Sequence, residues 1–165
     1  MNPVECFVNE VLEEAIGIVK STTYKKSIEL ITSVSPDDLE VWADKKLLKQ
    51  ILYNLLSNAI KFSHENGTVT ISAKNVNCPD NGRKYVKFCV SDRGIGIDEK
   101  DLERVFLEFE QTDNSYSREY GGTGLGLPLS KKWVEVQGGK IELHSKVNVG
   151  TEAVFYLPAA EEQEI

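Results

Sequence analysis

The chain is poor in the residues from which common reactive sites are built. Among 165 residues there are two histidines, His64 and His144, and three cysteines, Cys6, Cys78 and Cys89. An odd number of widely spaced cysteines argues against a disulfide framework or a zinc site, and for a reducing, cytoplasmic setting. His64 falls in a helix-ending turn and His144 in a strand pattern, so both read as structural or surface residues. Neither stands in the helical His-Glu context of a phospho-acceptor, and no Ser–His–Asp or Cys–His arrangement can be drawn. An excess of basic charge is also lacking. Lys and Arg number 19 against 26 Asp and Glu, a formal net charge of -7, which argues against a nucleic-acid surface. No run approaches the ~18 apolar residues of a membrane span, so no membrane contact is expected of this segment. Met1-Asn2-Pro3-Val4-Glu5 lacks the basic start and apolar core of a signal peptide. There is no internal repeat. No G-x-x-x-x-G-K-[ST] occurs, because Val134 stands where the first glycine before Gly139-Lys140 should be. A dinucleotide fingerprint fails as well, with Leu129 three residues after Gly126 and Glu99 three after Gly96.

What is present is an ordinary globular composition, 41% hydrophobic and 27% charged, long enough for one core. We expect a single domain over 1–158 and an acidic tail over 159–165. Val4 to about Lys26 reads as a helix from the spacing of Leu12, Ala15, Ile16 and Val19. Ile28–Val34 is a short β-rich run before the turn Ser35-Pro36-Asp37-Asp38, and Val41–Ala43 is another extended piece. Asp44 is a plausible N-cap for a helix that ends at His64–Gly67. Thr68–Lys74 and Tyr85–Ser91 alternate as strands around a loop containing Cys78–Gly82. Glu99 to about Phe109 reads as a charged helix, with Phe106 and Phe109 as apolar anchors, and Gln111–Tyr120 is polar. Leu127–Val136 is helical, Gly138-Gly139 stops it, and Lys140–Lys146 with Thr151–Leu157 closes a hairpin. This order implies an α/β (α+β) two-layer sandwich with a mixed, mostly antiparallel sheet and helices on one face.

Three clusters could carry chemistry. On the helix after Asp44, Asn54, Asn58 and Lys61 recur at i, i+4 and i+7 and form one polar stripe. Leu48, Ile51, Leu52, Leu55, Leu56 and Ala59 form the apolar face beside it. Amide oxygens can take a hard cation and the ammonium can take phosphate; the bland alternative is a polar helix edge. Asp92-Arg93-Gly94-Ile95-Gly96-Ile97 follows a strand. Its carboxylate can accept from an exocyclic amine, and its glycines permit a tight turn beneath a flat ring; an ordinary Asp-Gly turn is the alternative. Gly121-Gly122-Thr123-Gly124-Leu125-Gly126-Leu127 precedes a helix. Glycine lets backbone N–H groups approach an anion, and the helix N-terminus adds positive potential; a flexible connecting turn fits equally. Arg118 just before it is either a solvated loop charge or a guanidinium that folds onto a terminal phosphate.

Asn-Leu-Leu-Ser-Asn-Ala-Ile-Lys-Phe, Asp-Arg-Gly-Ile-Gly-Ile, Phe-Leu-Glu-Phe and Gly-Gly-Thr-Gly-Leu-Gly-Leu occur in that order. The series resembles the N box, first glycine box, F box and second glycine box of sensor histidine kinases. The resemblance spans almost the whole chain. It implies the catalytic, ATP-binding domain of that family, in the superfamily shared with gyrase, Hsp90 and MutL, with a Bergerat ATP-binding fold. It makes Asn58 the principal Mg²⁺ ligand with Asn54 beside it. It sets Lys61 on phosphate and Asp92 on the adenine amine. Gly94, Gly96 and Ile97 would shape the adenine pocket. Gly122, Thr123, Gly124, Leu125, Gly126 and Leu127 would surround the phosphates, Thr151 would lie near adenine, and residues 98–120 would be the lid. Asn54, Lys61 and Arg118 would serve catalysis. Pro128 departs from the family's usual Ala; proline is tolerated in a first helical turn. The histidine-bearing dimerisation domain is not in this chain, so the γ-phosphate would go to a histidine elsewhere and on to a response regulator receiver domain. Hydrolytic relatives carry Glu at the position of Asn54, and an amide cannot take a proton at neutral pH. A hydrolytic ATPase and an inactive nucleotide-binding module are the competing readings.

Overall fold

The computed structural model describes residues 1–102 and 126–160. Eleven elements follow in order among these residues: β1 (Pro3–Phe7), α1 (Val8–Lys26), β2 (Glu29–Ser35), β3 (Glu40–Asp44), α2 (Lys45–Phe62), β4 (Thr68–Asn77), β5 (Lys84–Asp92), α3 (Glu99–Leu102), α4 (Gly126–Val136), β6 (Lys140–Lys146) and β7 (Gly150–Pro158). Five strands form one sheet in the order β2-β4-β5-β7-β6. Among the described strands of this sheet the β2–β4 pair is parallel, and β4–β5, β5–β7 and β6–β7 are antiparallel.

Alternation along the strands sets the layers. Val69, Ile71 and Ala73 of β4, Val86, Phe88 and Val90 of β5, and Ala153, Phe155 and Leu157 of β7 are buried. Phe88 and Phe155 stack with ring centroids 4.5 Å apart. Against this face lies the apolar stripe of α2, from Leu48 through Ile51, Leu52, Leu55 and Leu56 to Ala59, all buried as its periodicity requires. The other face carries residues such as Thr70, Ser72 and Lys87, and none of these is buried.

One element differs from the sequence reading. Helix α1 starts at Val8, not Val4, because Pro3–Phe7 pairs antiparallel with β3, Pro3 opposite Asp44 and Phe7 opposite Glu40. The backbone groups of these five residues are taken by a strand about forty positions away, which no local periodicity reports. The expected tail also begins too early. Ala159 bridges Val41, donates its N–H to the Lys84 carbonyl at 3.1 Å, and is buried together with Ala160. The charged helix expected from Glu99 is seen over Glu99–Leu102; its continuation, with Phe106 and Phe109, lies outside the described residues.

Both ends of α2 are tied down, which fixes the side chains it presents. Asp44 caps the start, its Oδ1 accepting from the Leu47 N–H at 3.1 Å. At the end, Ser63 returns its N–H and hydroxyl to the Ala59 carbonyl. The Lys26 ammonium donates to the carbonyls of Ile60 (3.0 Å) and Lys61 (2.8 Å).

Candidate functional site

A cleft opens where the end of α2, the end of β5, the start of α4 and the β6–β7 pair converge. It holds about 350 Å³ of empty space, counted out to open solvent, and Asn58, Asp92, Ile97, Leu127 and Thr151 all line it. Its remaining walls are apolar, with Leu55, Phe62, Val90 and Leu143 among them. Five residues named from sequence are thus brought together from four separate stretches of chain.

Asp92 is the anomaly of this cleft. It continues the inward row Val86, Phe88, Val90, so a carboxylate takes the place of a core side chain and is only 7% exposed. Burial pushes its pKa up from the usual carboxylate value. Opposing that, the carboxylate accepts the Gly94 N–H at 2.8 Å and the backbone N–H of Thr151, its partner across β5–β7, and His64 lies close enough to add a smaller effect of the same sign. A buried acceptor in a partly apolar cleft suits a ligand that brings an N–H donor.

Glycines hold this corner together. A Cβ on Gly94 would strike the Phe62 carbonyl at the end of α2. Gly96, at φ +73°, lies against the Lys146 carbonyl. The segment between them donates Ile95 N–H to Phe62 (3.1 Å) and accepts Asn148 N–H (2.8 Å). These two glycines are therefore required first by the protein's own backbone, which threads between α2 and the β6–β7 turn.

The stripe on α2 divides. Asn58 faces the cleft. Asn54, one turn earlier, donates its amide to Ser130 Oγ of α4 at 3.3 Å, and Ser130 is fully buried. Lys61 is half-buried, and desolvation lowers the pKa of its ammonium. Gly126 is the first residue of α4, and Pro128 sits in that helix's first turn as the sequence suggested. Gly122, Thr123, Gly124, Leu125 and Arg118 lie outside the described residues.

Sequence reasoning missed two groups. Gly150, at φ +142°, has no room for a Cβ beside the Asp92 carbonyl. Ser145 bridges Ile97, Gly150 and Thr151. Counting back across the hairpin from Thr151 reaches Ser145, its partner in register.

The chain belongs to the family described as histidine kinase-, DNA gyrase B-, and HSP90-like ATPases, whose model matches residues 43–161. Within that family it is an ATP-binding catalytic domain of histidine-kinase type. It is 41% identical over 142 residues to the sensor histidine kinase WalK of Bacillus subtilis, covering 86% of this chain and 23% of WalK. The catalytic domain of histidine kinase ThkA superposes with a TM-score of 0.83 at 30% identity, over 99% of this chain and all of that one. Full-length ShkA, solved in complex with AMPPNP, gives 0.80 at 29% identity over 97% of this chain and 32% of its own. ThkA in complex with the response regulator protein TrrA gives 0.76 at 28% identity, over 98% and 43%. The chain spans 8% of the hybrid signal transduction histidine kinase B of Dictyostelium discoideum, to which it is 37% identical over 90% of its own residues. No helix among the described residues is long and apolar enough to cross a membrane.

Proposed function

We propose that this domain holds Mg·ATP in the cleft and delivers its γ-phosphate to a histidine of a separate dimerisation domain, from which a response regulator receiver domain takes it. The carrying observation is the pairing of a buried Asp92 carboxylate with the Asn58 amide on the walls of one cleft. Asp92 and Thr151 receive the adenine edge, and Ile97 and Leu127 cover its faces. Gly94 and Gly96 fix that pocket's shape through the backbone. The phosphates run toward Asn58, Lys61 and the start of α4; the resemblance assigns them the backbone N–H groups of Gly122–Gly126 and assigns a lid to residues 98–120, of which 103–120 lie outside the described residues.

The donor chemistry fits a magnesium ion. Among the described residues no group of three or more His, Cys, Asp or Glu gathers. A cation here would take an amide oxygen from Asn58, Asn54 beside it, and phosphate oxygens and water for the rest, a shell Mg²⁺ accepts. Bound there, it supplies neutralisation of phosphate charge. Catalysis by the protein is then positioning: Lys61, and Arg118 by the resemblance, would offset charge on the transferring group, and the acceptor imidazole comes from outside. ATP and the free thiols of Cys6, Cys78 and Cys89 suit a cytoplasmic location.

Calorimetric titration with Mg·ATP tests the site. Asn58→Ala and Asp92→Ala should each abolish detectable binding while leaving the fold intact by circular dichroism. Wild-type affinity in both variants overturns the assignment.

A further inference from the structure

Ser145 does not line the cleft, yet its hydroxyl meets three groups that do or that adjoin it. Ile97 N–H lies 2.7 Å away, the Gly150 carbonyl 3.0 Å and Thr151 Oγ1 2.7 Å. A serine hydroxyl has one proton and two lone pairs. The Ile97 amide can only donate and the Gly150 carbonyl can only accept, so the Ser145 proton goes to Gly150. With Ser145 donating to Gly150, all three contacts are hydrogen bonds when Thr151 donates to Ser145. We propose that Ser145 is a positioning residue that holds the Thr151 hydroxyl turned away from the cleft, so that Thr151 offers only lone pairs there. Thr151 stands opposite Asp92 in the β5–β7 register, and a carboxylate is likewise acceptor-only. The polar wall formed by the two therefore accepts hydrogen bonds and donates none. It selects a ring bearing an exocyclic amine and disfavours one that brings nothing to donate. This deepens the adenine-nucleotide reading above and rests on it.

The test compares Mg·ATP with the Mg²⁺ complex of purine riboside triphosphate, which lacks only the 6-amino group. Wild-type domain should bind ATP more tightly. In Ser145→Ala the Thr151 hydroxyl is free to rotate, and the preference for ATP should fall about fivefold, the size of one neutral hydrogen bond. Ser145→Thr, which keeps the hydroxyl, should retain the preference. In a Thr151→Val background, Ser145→Ala should change the ratio no further. Equal weakening of both nucleotides in Ser145→Ala would mean that Ser145 only supports the fold, and the proposal falls. If Ser145→Ala does not fold, Ser145→Cys, a weak donor and acceptor, carries the same comparison. No binding of either nucleotide by wild type overturns the nucleotide reading itself.

Discussion

At Asp92 the role proposed for one residue and the stability of the fold oppose each other. Its folded pKa is raised, chiefly by burial. A raised value means that its contribution to stability is full below the ordinary carboxylate pKa of about 3.9 and is lost as pH rises through the folded value. The ligand-free domain is therefore held at neutral pH against the preference of this side chain. In the proposed site nucleotide binding would have the reverse dependence, because only the carboxylate form accepts from an amine without offering a proton. Mg·ATP affinity should weaken on acidification, beginning at a higher pH than an exposed aspartate would produce. Titrations in buffers of different ionisation enthalpy should show proton release in that window, and Asp92→Asn should remove it. Affinity that stays flat through the carboxylate range would sink this view of Asp92. Gly150 contributes at the same scale by absence: without a side chain it lets β7 close on the Asp92 carbonyl and sets Thr151 beside the carboxylate.

At the scale of elements, α2 is the platform, and its neighbours hold it from both ends. The Asp44 N–H is taken by Gln137 Oε1 from beyond α4 at 2.8 Å, while Lys26 from α1 covers two terminal carbonyls of α2. An ammonium at a helix C-terminus is favourable through both hydrogen bonding and the helix dipole. Lys26→Met keeps the aliphatic stem and removes the charge. It should destabilise the domain by about 1–2 kcal/mol, roughly 3–6 °C in Tm for a chain of this size; an unchanged Tm would show the contact to be idle. Elements with their own periodicity, such as α2, β4, β5 and the β6–β7 hairpin, could be read directly from the sequence. Pro3–Phe7 could not, because its strand state depends on β3. The site divides in the same way. Asn58 and Asp92 were legible because a helical stripe and a strand end announce them. The three-way role of Ser145 and the Asn54–Ser130 bond were not, since each joins segments that meet only after the hairpin and α4 have docked.

For the molecule as a whole, the question is where the γ-phosphate goes. A hydrolase needs a base to activate water, and the candidate position on α2 holds Asn54. An amide does not take a proton at neutral pH, and this one is bonded to the buried hydroxyl of Ser130. His64 and His144 are exposed outside the cleft lining, so neither is an internal acceptor there, and the one carboxylate among the lining residues, Asp92, is assigned in the proposed reading to the adenine end. This arrangement supports the proposal that the domain holds a nucleotide for an imidazole supplied from elsewhere. Isolated domain should bind Mg·ATP and turn it over slowly. Addition of a helical hairpin bearing a histidine should transfer ³²P from γ-labelled ATP to the hairpin, in an acid-labile, base-stable linkage. Loss of transfer in Asn58→Ala, with the hairpin unchanged, would assign the phosphoryl donor to this cleft. Rapid release of phosphate without any hairpin would instead mean that water is the acceptor, and the kinase reading would give way to that of a hydrolase.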